Sequence, residues 1–259
     1  MTDVVRRERR DEVEWITIDR PERRNALNDE VAAGIRAALA AAGDDDSVRA
    51  VVLTGAGDKA FCAGGDLASS DDGPFQVDPS RPNNAVIDLF REFERCTLPT
   101  VARINGHALA GGLGLACACD FAIVTRSATL GVPETGVGLF PMMILPYLHR
   151  TMPRRQLLEW CITGARWSAD EAHDAGLVNY VVEPEELDAK LEWLLARITD
   201  KSPSAIRLGK MGFQAMQDMS LDEAFEYAQL MLPNMARTED ASEGFRAFRE
   251  KRKPLWTGR

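Results

Sequence analysis

Apolar positions along the chain fall into short strand-like runs that alternate with helical stripes. Val13, Trp15, Ile16 and Ile18 mark a strand with imperfect alternation, closed by Arg20-Pro21. Asn28 is a suitable N-cap for a helix to about Ala42, with Val31, Ile35 and Leu39 on one face. Ala50–Leu53 is continuously apolar, as a parallel strand buried on both faces is. Strand, helix and strand at these lengths predict a βαβ unit. Asn84–Cys96 is helical by pattern, and Thr100–Asn105, Phe121–Val124, Thr129–Val132 and Val178–Val182 read as further short strands. Pro141 and Pro146 interrupt the apolar stretch after Glu134, so any helix there is short or kinked. Arg154–Ile162 and Ser168–Ala175 read as helices, the second with Ser168 as N-cap and Gly176 as stop. Leu187–Ile198, Ser204–Met219, Leu221–Leu232 and Ala241–Lys253 are helical patterns with no strand between them. The expectation is an α/β core over residues 1–182 and a helical region over 183–259. Arg6, Arg7, Arg9 and Arg10, mixed with acids, predict a solvated, partly ordered beginning.

Two glycine-rich stretches each follow a predicted strand. One is Thr54–Leu67, TGAGDKAFCAGGDL; the other is Arg103–Asp120, RINGHALAGGLGLACACD. In the second, Gly111-Gly112 stands where a small-residue helix begins. A helix N-terminus offers unpaired N–H groups at a positive dipole end, and bare glycines let an oxygen reach them. Close packing of a strand against a helix would also require glycines, and on this segment alone the two readings stand level.

Composition narrows the classes. The 259 residues are 45% hydrophobic and 27% charged, enough for a sizeable core in a globular protein. A net charge of −9 argues against nonspecific nucleic-acid binding. The beginning carries no apolar signal run, and no stretch approaches the ~20 apolar residues of a membrane span. Five scattered cysteines fit reduced thiols, and the expected location is cytoplasmic. The chain has no GxSxG elbow, P-loop or HExxH, and Cys117-Ala-Cys119 lacks zinc spacing, so neither a metal nor a cofactor is expected. Gly55-Ala-Gly57 and Gly112-Leu-Gly114 are fragments of a dinucleotide fingerprint without its acidic partner. His107 is read as a satisfied core histidine ahead of an acid or base. As a pair, the glycine stretches could each give one N–H to a single oxygen, as in the enolate of a thioester.

The residues that carry a resemblance are Arg20-Pro21 with Asn25-Ala26-Leu27-Asn28, then Ala60–Leu67, Asn105-Gly106 through Ala110-Gly111-Gly112 to Asp120, Gly131–Glu134 and Phe248–Arg252. In order, over nearly the whole chain, they resemble the crotonase family of enoyl-CoA hydratases and isomerases. The resemblance implies a spiral of ββα turns in place of a doubly wound sheet, a C-terminal helical trimerisation region, and trimers or hexamers. It implies oxyanion-hole amides at Gly65 and Gly111 and an acid/base at Glu134. It implies that Ala63, Asp66 and Leu67 line the CoA and acyl channel, that Arg24 and Ala26 contact CoA, and that Phe248 and Lys251 approach its adenine end. CoA would enter as part of the substrate.

The chain departs from the hydratase pattern at one of two glutamates. Glu134 is retained, but the helix position that would carry the other is Gly114, and the water-framing glycine turn is replaced by Phe140-Pro141-Met142-Met143. Met142 and Met143 are expected to dry the site and raise the Glu134 pKa. One carboxylate with two amides favours double-bond migration over hydration; the alternative is an acyl-CoA-binding homologue with little activity. A loop acid such as Asp71 or Asp72 could replace the missing group, although solvated loop charges are the simpler reading.

Overall fold

The computed structural model describes residues 4–66 and 84–259. Leu67, Asp71 and Asp72 lie outside the described residues. The strands are β1 (Val5–Arg10), β2 (Val13–Ile18), β3 (Ala50–Gly55), β4 (Ala60–Cys62), β5 (Thr100–Ile104), β6 (His107–Leu109), β7 (Phe121–Thr125), β8 (Thr129–Gly131), β9 (Arg166–Ser168) and β10 (Tyr180–Val182). The helices are α1 (Asp29–Gly43), α2 (Ala85–Arg95), α3 (Gly111–Ala118), α4 (Leu145–Thr151), α5 (Arg154–Thr163) and α6 (Ala169–Asp174), followed by α7 (Leu187–Thr199), α8 (Pro203–Met216), α9 (Leu221–Met235) and α10 (Glu239–Glu250).

The strands form two sheets. The larger has the order β1-β2-β3-β5-β7-β10 and the smaller β4-β6-β8-β9. From β2 to β10 the large sheet is parallel, with registers such as Val13↔Ala50 and Val51↔Thr100. Each turn of chain gives one strand to the large sheet, the next to the small sheet, and then a helix: β3, β4, α2, and then β5, β6, α3. This is the ββα spiral that the resemblance implied.

Alternation along β3 explains the layers. Val51 and Leu53 face the main core with α1 and α2, whereas Ala50 and Val52 face Leu187, Leu191 and Leu194 of α7. Both faces of the sheet are therefore covered, which is why its strands are apolar throughout. The expected βαβ unit is β2-α1-β3, and its helix starts where the Asn28 side chain accepts from the Val31 N–H at 2.9 Å. The chain beginning differs from expectation. Instead of a partly ordered end, Val5–Arg10 pairs antiparallel with β2. Its arginines suit a sheet edge, where outward charge is tolerated and discourages further pairing.

No strand follows Val182 among the described residues. The chain end is fastened to α8 and α10 by two buried carboxylates. Asp240 accepts from the Ser202 and Ser204 hydroxyls at 2.8 and 2.9 Å and from the Thr257 and Gly258 amides at 2.7 and 3.1 Å. Glu243 accepts from Arg252 and from the Leu255 N–H at 2.9 Å. Burial pushes the Asp240 carboxyl up, but the hydrogen bonds, led by Ser202, outweigh it and bring it to about 2. Its ordinary value is 3.8. The ionised form therefore stabilises the fold above that value, and this contribution is lost as pH falls toward about 2. Asp240→Asn should cost about 1–3 kcal/mol near neutral pH, since buried amide donors would then face an NH₂ group. Thermal unfolding of both proteins should show the difference shrinking across that acidic window.

Candidate active site

Three loops leave the C-terminal ends of β4, β6 and β8, which lie side by side and parallel in the small sheet. Gly65 stands three residues past β4, Gly111 two past β6 and Glu134 three past β8. Ligand sites in parallel sheets form at this end of the strands.

The first turn of α3 lies on the backbone of β4. A Cβ at Gly112 would meet the Cys62 carbonyl oxygen at 2.1 Å, so only glycine fits. The turn leading in is strained: Ala110 has φ 49° and ψ −125°, a conformation that side chains rarely adopt. It is held there by its N–H, which donates to the Gly131 carbonyl at 2.8 Å. Gly64, at φ +94°, faces the Ala110 methyl, where its own Cβ would sit 2.7 Å away.

These approaches set Gly65 beside Gly111. The space a Gly111 Cβ would take is 3.9 Å from the Gly65 nitrogen and 3.1 Å from Leu27 Cδ1. Leu27 also forms a parallel bridge with Gly65. That bridge uses the Gly64 carbonyl and the Asp66 N–H, each at 2.7 Å. In such a bridge the central residue's own N–H points away from its partner. The Gly65 N–H is therefore left out of the ladder, and the Gly111 N–H belongs to the unpaired first turn of α3.

Glu134 sits in a short 3-10 turn, Pro133–Val137, against which α5 packs. Its Oε2 is buried with no hydrogen-bond partner among the described residues. Burial raises the Glu134 pKa above the ordinary 4.5, opposed by a hydrogen bond from its own backbone N–H.

At Gly114, one turn along α3 from Gly111, a Cβ would lie 2.2 Å from Ile144 Cγ2 and 3.0 Å from the Phe90 ring. Ile144 and Phe90, 2% and 5% exposed, fill the side of the site where a second carboxylate was considered. Of the two methionines expected to dry the site, Met142 is 65% exposed in the single chain, whereas Met143 is partly buried against the main core. Met142 N–H bonds back to the Phe140 carbonyl at 2.7 Å, and this tight turn puts Ile144 inward and Met142 outward.

The other site candidates distribute as follows. Arg24 is exposed at φ 51°, Ala26 is buried, and Ala63 N–H donates to the Arg24 carbonyl at 3.1 Å. Asp66 is ion-paired with Arg20 at 2.8 Å. Phe248, 85% exposed, and Lys251, at the left-handed end of α10, stand on the helical region, far from these loops along the chain. His107 is exposed, not a core residue, and its Nδ1 accepts from the Thr129 N–H at 3.0 Å, joining β6 to β8. All five thiols are free, and burial pushes Cys62 and Cys117 up to about 12, which disfavours a thiolate nucleophile. Sequence reasoning gave no role to Ile144, Phe90 or the Arg20–Asp66 pair. Phe90 lies in the apolar pattern that made Asn84–Cys96 helical, whereas nothing local marked Ile144 or the pair.

The family model for enoyl-CoA hydratase/isomerase matches residues 8–259. The crotonyl-CoA hydratase of Syntrophomonas wolfei is 36% identical over 251 residues, covering 95% of each chain. The crystal structure of an enoyl-CoA hydratase from Mycobacterium smegmatis superposes with a TM-score of 0.92 at 34% identity, covering 98% of each chain. One from Bacillus anthracis gives 0.91 at 31% identity, covering 99% of this chain and 100% of that one. The chain thus belongs to the enoyl-CoA hydratase/isomerase family, the crotonases. Its chemistry is acyl-CoA processing of the enoyl-CoA hydratase/isomerase type.

Gly112→Ala should destabilise the protein by about 3 kcal/mol or more, since the added methyl meets backbone that cannot swing away. A thermal midpoint close to that of the wild type would contradict the close approach.

Proposed function

We propose that this crotonase shifts a double bond in an enoyl-CoA through an enolate held by the Gly65 and Gly111 N–H groups, with Glu134 as the single acid/base. In this reading the thioester oxygen lies between the two amides. Glu134 takes a proton from C2 of a 3-enoyl-CoA, the enolate charge moves onto that oxygen, and the same carboxyl returns the proton at C4. The product is the 2-enoyl-CoA; one proton moves and no water enters. Each amide donor of this kind is worth about 3–4 kcal/mol of barrier.

The observation that carries the reading is the filling of the Gly114 side by Ile144 and Phe90. Hydration asks for one group to activate water and another to protonate carbon, and that side of α3 has no room for a carboxylate. Double-bond migration needs one base in a dry place, and a half-buried Glu134 whose Oε2 has no hydrogen-bond partner among the described residues supports that role. Arg24, Ala26 and Ala63 would contribute to the CoA-side rim, and a lysine at 251 suits a CoA phosphate.

We also infer self-association into trimers or hexamers. Met211, Phe213, Phe225, Leu230, Leu232 and Phe245 of α8–α10 are exposed in the single chain, and α9 buries no residue of its own. Such apolar faces ordinarily meet a partner. Phe248 and Lys251 could then reach the CoA site of a neighbouring copy.

Glu134→Gln should lower kcat on a 3-enoyl-CoA by about 10²–10⁴-fold. Near-normal turnover would overturn the assignment, and acyl-CoA binding without any turnover by the wild type would favour the non-catalytic alternative. Because the base must be ionised, kcat/KM should fall with acid through a pKa above 4.5, and the limb should vanish in the variant. Gly114→Glu should confer no hydration of 2-enoyl-CoA and should lower the melting temperature. A gain of hydratase activity in that variant, followed by absorbance, would contradict the packing argument.

A further inference from the structure

We propose that the buried Arg20–Asp66 ion pair is a positioning device for the Gly65 oxyanion donor, an inference that rests on the enolate reading above. Gly65 lies outside any regular strand. Its stretch is joined to residues 24–27 by one isolated bridge and three backbone hydrogen bonds: Ala63 N–H to Arg24, Leu27 N–H to Gly64 and Asp66 N–H to Leu27. A single bridge fixes spacing but leaves the two segments free to rock about it.

Arg20 closes that freedom. Its Nη1 donates to the Ala26 carbonyl at 2.7 Å and its Nη2 to Asp66 Oδ2 at 2.8 Å. Ala26 and Asp66 each adjoin the bridged pair Leu27 and Gly65, one on each segment. One planar guanidinium therefore grips both segments beside the bridge, and its rigid fork sets their relative orientation. The base of the fork is fixed in turn. Arg20 N–H donates to Asn25 Oδ1 at 3.0 Å, and Asn25 Nδ2 donates to the Ala60 and Ala56 carbonyls at 2.7 and 3.0 Å. The Ala60 bond ties the grip to β4, the strand that leads to Gly65.

The pair is shielded. Its side chains are 13% and 9% exposed, against 47% and 59% for the surface pair Arg126–Asp170. Shielding keeps it effective at physiological salt, where exposed pairs are screened. A donor displaced by a fraction of an ångström loses its worth to an enolate while the CoA moiety still binds. The expected signature is a loss in kcat with KM nearly kept.

The experiment uses purified full-length protein, a 3-enoyl-CoA for turnover, and acetoacetyl-CoA, whose bound enolate absorbs in the near ultraviolet. Arg20→Met and Asp66→Asn should each lower kcat by about 10²-fold, with KM within about threefold, by analogy with small misplacements in other active sites. Both should weaken the enolate band while acetoacetyl-CoA still binds by calorimetry. Arg20→Lys should not restore the band, because one ammonium cannot make both contacts. The double variant should be no worse than either single one, as expected for groups that act as a unit. Arg126→Met is the control and should leave turnover unchanged. If Arg20→Met does not fold, the near-isosteric Asp66→Asn supplies the same readout. Folded Arg20→Met or Asp66→Asn with the wild-type band and kcat overturns this proposal alone. Wild-type protein that binds acetoacetyl-CoA with no enolate band overturns the oxyanion reading, and this proposal with it.

Discussion

The site depends on one close approach: helix α3 begins on top of the β4 backbone, with Gly112 against the Cys62 carbonyl. No side chain can stand between them. From this contact follow the position of Gly111 beside Gly65, the need for glycine at 64, and the strained turn at Ala110. Residues held in rarely populated conformations cost roughly 1–3 kcal/mol and persist only where the surroundings impose them. Here the constraints are the Ala110–Gly131 hydrogen bond and the pairing of β6 with its two neighbours. The same bond ties the amide side of the site to the strand from which Glu134 departs.

The arrangement supplies positive potential without a cation. Two backbone N–H groups and the start of α3 present partial charges that cost nothing to reorient when negative charge appears. That would suit the proposed enolate, whose charge would exist only during the reaction. A fixed arginine at the same place would also hold ground-state anions. In the proposed reaction Glu134 would meet the complementary demand. Burial of its carboxyl penalises the ionised form, so its basicity is raised, and Ile144 and Phe90 keep the neighbouring face of α3 apolar. A second carboxylate there would add like charge to a site already short of solvent.

Much of the fold was legible because the large sheet is buried on both faces and its helices carry local caps. Ala50–Leu53 could only be a buried strand or a fragment of helix, and Asn28 and Ser168, read as N-caps, do cap helices. The small sheet was harder to see. Its four strands span three residues each, too few for a period to show, and only β8, inside the apolar run Thr129–Val132, was recognised. β1 was hidden by its charges, since an edge strand with one wet face reads like a solvated tail. The glycines at 65 and 111 stood out as clusters after strands, and the family resemblance turned clusters into residues. Nothing local could reveal Ile144 at Gly114 or Arg20 at Asp66, because each contact joins segments far apart in sequence.

The helical region follows a different logic from the core. Its first helix, α7, packs Leu187, Leu191 and Leu194 on the sheet, and beyond α7 polar links tie it to the spiral. Lys210 of α8 reaches Asp120 at 2.6 Å and the Leu98 carbonyl at 2.9 Å, and Asp120 also accepts from the Thr100 N–H at 2.8 Å. Asp240 and Glu243 then fasten the chain end back onto α8 and α10. Such networks fix orientation more than they add stability, because desolvation offsets much of the attraction. Orientation by polar links leaves the apolar faces of α8–α10 uncommitted within the chain. A region built to pack on its own core would have spent Phe213, Phe225 and Leu232 inward. Their outward placement, at 70%, 62% and 68% exposure, separates two tasks: buried polar contacts aim these helices, and their hydrophobic surface is left for whatever they are aimed at.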